Sequence, residues 1–228
     1  MWEEGKMETQ ELWKTRRQAE DSLIAELKPF ADLLSETFNS IDNIIARLEL
    51  LDDPFGRVCG LVLIKARNLG LGCFSLSLDA LAQEAGALFR PLIECLELLI
   101  YFRSEPSRIN KALEDRLPIA GEIAKKIEGK CKDLREYLNK YASHLSLSPE
   151  AMRHLVDFKS GRLRPIQVHK TAVLRENLKT LLAVLVWLAG VAVDCNSIGA
   201  GVVDNALVDT FEDIKRRTLL LLDEAGHR

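Results

Sequence analysis

The chain has 228 residues, of which 47% are hydrophobic and 29% charged, and a formal net charge of −3. This composition is typical of a soluble globular protein, because a disordered chain is less apolar and a nucleic-acid or anionic-membrane binder carries a positive excess. Seven prolines and thirteen glycines, against abundant Leu, Ala, Glu, Lys and Arg, predict a mainly helical chain.

The five cysteines lie at irregular spacings and form no C-x-x-C pair. Each stands in an apolar, helix-like context, which predicts buried, reduced thiols in a cytoplasmic protein rather than a disulfide framework. A zinc site would need clustered Cys or His, and a di-iron bundle would need a pair of Glu-x-x-His motifs on two helices. The sequence has neither, so we predict no metal and no cofactor.

In chain order, the first predicted unit is a helical segment over residues 8–51. Its apolar residues follow one another in steps of three and four from Leu23 to Leu48, which predicts a helical seam close to heptad spacing. Pro29 lies inside this seam, so we expect a kink or a helix restart there. The seam can pack against the rest of this chain or against a second copy, and the second case predicts a homodimer.

The remaining residues, 54–228, are predicted to form the helical core. Asp53 as N-cap and Pro54 at the first helical position mark its beginning. Apolar periodicity and turn residues predict helices and loops but no strand, and the GLG of residues 70–72 is expected to loosen or end a helix. The helices are expected over residues 54–69, 73–81, 82–102, 107–116, 118–128, 130–144, 149–158, 171–195 and 203–224. One all-α domain spanning residues 1–228, with long core helices and shorter ones packed across them, is the predicted architecture.

The helix predicted over residues 82–102 is apolar on nearly every side, yet it carries a line of polar residues. Arg90, Glu94, Glu97 and Tyr101 fall within about 60° of helical arc, and we name them the polar stripe. Three interpretations remain open. The stripe is a thin solvated edge, an ion-pair network that fixes helix packing, or a ligand-binding or catalytic line in a helical cleft.

A second polar face is predicted on the helix over residues 130–144. Tyr137, Tyr141 and His144 are spaced i, i+4 and i+7 and therefore share one side. Such a face is either a half-buried packing surface with its polar tips in hydrogen bonds, or part of a pocket opposite the polar stripe. On the second interpretation, Tyr141 and His144 join the stripe as candidate ligand-binding residues.

Residues 159–170 form the longest stretch without helical period, and they are basic. Arg164 and His169 lie in it, just before a long predicted helix, and their Arg-x4-His spacing resembles the signature of the helical HEPN nucleases. That resemblance implies a metal-independent RNase in which His169 takes part in acid–base chemistry and Arg164 stabilises a phosphate. A basic surface loop is the alternative.

The helix predicted over residues 171–195 contains the most apolar run of the chain, residues 181–193. A membrane span needs roughly 20 apolar residues, so this run predicts a buried core helix and no membrane partner. One side of the helix carries Trp187 together with two small residues, Ala183 and Gly190. Small residues in such positions predict that a neighbouring helix approaches closely.

The segment RNLGLGCFSLSLDALAQEAGALFRPLIECLELLIYF, with ALFRPLIE (87–94) at its centre, resembles a bacterial all-helical family catalogued only as a domain of unknown function. The later YLNKYASHLS, residues 137–146, resembles a Tyr/Ser/His segment of that family, and the resemblance covers about residues 55–150. It implies an α-helical fold and a polar cluster built from Arg90, Glu94 and the predicted Tyr/His face. It brings no established activity.

The predicted function is that of a cytoplasmic helical binding protein that takes a small ligand or a partner at the polar stripe. The candidate ligand-binding residues are Arg90, Glu94, Glu97, Tyr101, Tyr141 and His144. The alternative is a HEPN-like RNase with Arg164 and His169 at its site and a role in host defence. Nucleic acid is a predicted partner only under this alternative.

Overall fold

The computed structural model describes residues 3–141, 152, 155–164 and 167–226, and these residues are helical almost throughout. Within those ranges the chain forms nine α-helices, a short 3-10 helix and one two-stranded antiparallel hairpin. The helices are α1 Glu3–Ala25, α2 Lys28–Glu49, α3 Pro54–Leu78, α4 Ala82–Ser104, α5 Ile109–Leu113, α6 Ala120–Lys126, α7 Lys132–Tyr141, α8 Thr171–Ala200 and α9 Asn205–Gly226. The 3-10 helix is Pro106–Arg108, and the strands are β1 Val156–Asp157 and β2 Arg162–Leu163. The prediction of an all-α, single-domain fold is confirmed.

The hydrophobic core is built around α8, which is in contact with α2, α3, α4 and α9. By length and composition alone, α8 and α3 are both long and apolar enough to cross a membrane. In the most apolar window of α8, however, 67% of the residues are buried inside the fold, against 33% in α3. A helix that is apolar all round needs neighbours on every side, and the packed helices supply them for α8.

The N-terminal seam packs within its own chain. α1 ends at Ala25 and α2 begins at Lys28, so Pro29 lies in the first turn of α2, where its missing N–H breaks no helical hydrogen bond. The seam residues Leu34 and Ile41 are buried in the same hydrophobic core as α3, α4 and α8. The seam therefore packs within this chain, which is the first of the two predicted arrangements, and the homodimer stays a prediction.

The boundary between α2 and α3 is the one that the sequence predicts. The carboxylate of Asp53 accepts a hydrogen bond from the backbone N–H of Gly56 at 3.1 Å and caps α3. The GLG of residues 70–72, which the sequence pattern predicts to loosen or end the helix, does not end α3, because α3 continues to Leu78. A Cβ atom at Gly70 would lie 3.0 Å from Cδ2 of Leu185, so this glycine permits the close approach of α3 and α8 instead of terminating the helix.

The hairpin of β1 and β2 differs from the sequence-based expectation. Val156 pairs with Leu163 and Asp157 with Arg162, whereas the sequence pattern predicts helix as far as residue 158. The side chain of Asp157 accepts a hydrogen bond from the backbone N–H of Lys159 at 3.0 Å, and Gly161 has a φ of 68°. The side-chain hydrogen bond and the left-handed glycine favour a turn over a helix, so the chain forms a hairpin here. The first part of the predicted helix, apart from residue 152, lies outside the described residues.

The short helices α6 and α7 pack against α4 and cover the side that carries the polar stripe. The buried apolar side chains of this region include Ile123 of α6, Ile127 just after α6 and Leu138 of α7. The contact between this group and α4 therefore combines a few apolar side chains with the charged groups of the stripe.

Candidate functional site

The polar stripe lies on a continuous helix, because α4 is helical from Ala82 to Ser104. Its two ends differ in exposure. The side chains of Arg90 and Glu94 are 25% and 33% exposed, whereas Glu97 is 1% and Tyr101 0% exposed. A solvated edge therefore describes at most the first half of the stripe, and the second half is inside the protein.

The outer half of the stripe is an ion pair tied to α7. Arg90 donates from Nε to Oε1 of Glu94 at 2.8 Å within α4. The same guanidinium donates from Nη1 to the side-chain oxygen of Asn139. This arrangement matches the interpretation of the stripe as a network that fixes helix packing.

The inner half contains a buried ion pair between two helices. Arg135 of α7, itself only 9% exposed, donates from Nη1 to Oε2 of Glu97. Burial raises the pKa of the Glu97 carboxyl above its ordinary value, and the neighbouring Arg135 charge opposes this effect without cancelling it. The direction of the shift indicates that desolvation of the carboxylate outweighs its attraction to the guanidinium.

Two oxygen atoms of the inner half have no hydrogen-bond partner among the described residues. Oε1 of Glu97 and the hydroxyl of Tyr101 are buried and make no hydrogen bond within the described part of the chain. The two residues are four apart on α4, so their side chains are neighbours on one face. Each buried polar group that lacks a hydrogen bond lowers the stability of the folded protein by about 1–3 kcal/mol. A group that bonds to both oxygens would remove this cost.

Cations lie beside the ring of Tyr101. The guanidinium carbon of Arg108 is 4.3 Å from the ring centroid and Nζ of Lys126 is 6.0 Å from it. Arg108 also donates from Nη1 to the backbone carbonyl of Tyr101 at 3.1 Å. The two cations contact the face of the ring, and none of these contacts involves the hydroxyl of Tyr101.

The groups that meet the stripe were not predicted from the sequence. Arg135 and Asn139 contact it from α7, four residues apart on one face of that helix. A signal was present, because Arg135 lies between Cys131 and Leu138 at helical spacing, and both of these are buried. A charged residue in an apolar row of a helix indicates a buried partner, although it does not say which.

The predicted Tyr/His face is only partly described. Tyr141 is the last residue of α7, its side chain is not described, and His144 lies outside the described residues. Tyr137 is 59% exposed. The prediction that Tyr141 and His144 join the stripe stays a prediction.

Arg164 and His169 contact different parts of the structure. Nη2 of Arg164 is 3.6 Å from Oδ1 of Asp157 in the hairpin. Nε2 of His169 is 2.9 Å from the hydroxyl of Ser22 in α1, and burial lowers the pKa of its ring. His169 does stand just before α8, as the HEPN resemblance requires, but no hydrogen bond joins it to Arg164 within the described residues. Those residues also hold no group of three or more His, Cys, Asp or Glu that is placed to bind a metal ion.

Comparison of this chain with protein-family models, curated proteins and solved structures finds no match. The two resemblances noted from the sequence therefore stay predictions, and the geometry and chemistry of the site carry the functional proposal.

Proposed function

We propose that this protein is a cytoplasmic binding protein that holds a small, neutral, hydrogen-bonding molecule at the inner half of the polar stripe. The observation that carries the proposal is the pair of buried oxygens on Glu97 and Tyr101, which have no hydrogen-bond partner in the part of the chain that the structure describes. A ligand that bonds to both would remove two desolvation penalties that the protein otherwise bears. The five cysteines, none of which is in a disulfide, support a reducing compartment.

The charges around the two oxygens favour a neutral ligand. An anion would lie beside the Glu97 carboxylate and raise its free energy further, and a cation would face the Arg135 guanidinium. A small amide or polyol has both a donor and an acceptor, so it can donate to the carboxylate oxygen and either donate to or accept from the phenol. The half-exposed pair of Arg90 and Glu94 lies at the end of the stripe that faces solvent.

Tyr101→Phe tests the proposal because it removes the hydroxyl and keeps the ring that Arg108 contacts. Wild type and variant are heated with a panel of small amides and polyols, with Tyr137→Phe, an exposed tyrosine on α7, as the matched control. A ligand present at about a hundred times its Kd adds about 2.7 kcal/mol, or roughly 5–11 °C in Tm for a chain of this size. We expect such a shift in wild type and in Tyr137→Phe, and its reduction in Tyr101→Phe.

The proposal is wrong if no compound in the panel raises the Tm of wild type. It is equally wrong if Tyr101→Phe responds to every compound as wild type does. In that second case the stripe is a structural ion-pair network and the two oxygens are satisfied by water.

A further inference from the structure

A groove between α8 and α9 has the size of a small-molecule site. Its volume is about 480 Å³, and its walls include Trp187 of α8, Phe211 of α9 and Arg103 at the end of α4. Ligand pockets in proteins are typically about 300–1,000 Å³ and mostly apolar, with a few polar groups that orient the ligand. Neither the polar stripe nor the Arg164 and His169 pair contributes to this groove, so a ligand here is independent of the proposed function.

The shape of the groove depends on the small residues of α8. A Cβ atom at Gly190 would lie 2.6 Å from Cζ of Phe211, so only glycine lets that ring approach the helix backbone. Ala183 lies further along the same groove and has no bulk to fill it. As a result α9 approaches closely at Gly190, and Trp187 remains 39% exposed in the space beside it.

A threonine that lines the groove has a hydroxyl without a hydrogen-bond partner among the described residues. Thr218 lines the groove and is 2% exposed, and its hydroxyl makes no hydrogen bond within the described part of the chain. A helical threonine can bond to the carbonyl four residues earlier, and Thr210 of the same helix does so, to Ala206 at 2.8 Å. Leaving the buried hydroxyl of Thr218 unbonded costs free energy, and a hydrogen bond with a ligand in the groove would remove that cost.

The charged groups at the groove already have partners. Arg103 donates to Asp194 of α8 at 2.6 Å, and Lys215 donates to Glu212 of α9 at 2.9 Å. A charged ligand would have to displace one of these partners, whereas a neutral ligand leaves both pairs intact. Two aromatic side chains in the walls favour a flat aromatic body.

We infer that this groove binds a neutral aromatic molecule with a single hydrogen-bonding group, of the phenol class. Its ring packs against Trp187 and Phe211, and its polar atom bonds to the hydroxyl of Thr218. The chemistry of the site needs no charge on the ligand and no metal.

The test uses the full chain with Trp2 and Trp13 changed to Phe, which leaves Trp187 as the single tryptophan. Its fluorescence is followed during titration with p-cresol, toluene, cyclohexanol and benzoate. We expect p-cresol to produce a saturable change, with toluene and cyclohexanol weaker because each lacks one of the two features that the groove recognises. Benzoate should bind weakest, because its charge competes with the existing ion pairs.

Thr218→Val removes the hydroxyl at nearly equal volume, and Thr210→Val is the matched control on the same helix. Since a neutral hydrogen bond contributes about 0.5–1.5 kcal/mol, Thr218→Val should weaken p-cresol binding by about 2- to 12-fold and leave toluene binding unchanged. Thr210→Val should bind p-cresol as the parent does. Ala183→Leu, which fills the groove, should abolish the signal.

Three results of the ligand titrations would overturn the inference: no saturable change with p-cresol, equal affinity for p-cresol and toluene in the parent chain, or equal affinity for p-cresol in Thr218→Val and the parent. The comparison of p-cresol with toluene uses only the parent chain, so it tests the inference even if the Thr218→Val variant fails to fold. A change in Trp187 fluorescence with protein concentration alone would show that a second copy of the chain occupies the groove, and the inference would then be wrong.

Discussion

The buried pair of Glu97 and Arg135 allows the sharpest test of how α7 is held on α4. Arg135→Met removes the guanidinium and leaves the Glu97 carboxylate, 1% exposed, without the partner that bonds to it. Breaking a buried ion pair from one side costs about 3–5 kcal/mol, because an uncompensated charge stays behind. At about 2–4 °C per kcal/mol for a chain of this length, the Tm should fall by roughly 6–20 °C. The double variant Glu97→Met with Arg135→Met leaves no charge and should recover most of that loss.

The cost of Arg135→Met should depend on pH with a definite sign. Burial raises the pKa of Glu97 in the folded state, and Arg135 is the main group that opposes the rise. Without Arg135 the folded pKa is higher still, so the contribution of Glu97 to stability is complete below its unfolded pKa of about 4.3 and is lost as the pH rises through the folded value. The destabilisation should therefore be smaller near about pH 5 than near about pH 8.

The measurement is urea unfolding of wild type, both single variants and the double variant at the two pH values, followed by circular dichroism. Arg216→Met is the control, because Arg216 and Asp213 form an exposed pair at 2.6 Å with side chains 64% and 50% exposed. An exposed pair contributes about 0–1 kcal/mol, and its loss should barely move the transition. Three results would refute a buried ion pair of this strength: Arg135→Met costs no more than Arg216→Met, its cost is equal at both pH values, or the double variant is as unstable as Arg135→Met alone.

Two further outcomes concern the cysteines and the alternative function. Burial raises the pKa of Cys73 to about 12 and those of Cys95 and Cys131 to about 11. These three thiols should therefore react slowly with a thiol reagent near about pH 8 in the native protein and quickly in denaturant. Rapid reaction of all of them in the native protein would contradict their burial. For the alternative function, purified wild type, Arg164→Ala and His169→Ala are incubated with RNA, and we expect no cleavage by any of them. Cleavage by wild type that both variants lose, by about 10²–10⁴-fold, would instead establish the nuclease.

The elements that the sequence predicts well are those set by interactions between near neighbours in the chain. Asp53 and Pro54 open α3 because a capping carboxylate and a proline at the first turn need only the three residues that follow. Pro29 restarts the helix for the same kind of reason. The hairpin around Gly161 was missed because its short strands carry no period-two pattern, and only the turn chemistry of Asp157 indicates it.

Helical geometry alone puts four polar residues on one side of α4, since 3.6 residues per turn leave them no other arrangement. The groups that meet that side come from the packing of distant parts of the chain. Arg135 lies 38 positions from Glu97, and no local rule pairs residues that far apart. The same holds for the groove beside Trp187: small residues on α8 indicate a close neighbour, but α9 fills the space at Gly190 and leaves it open at Ala183. The packing of whole helices therefore decides which charged side chains are buried and which buried hydroxyls are left without a hydrogen bond.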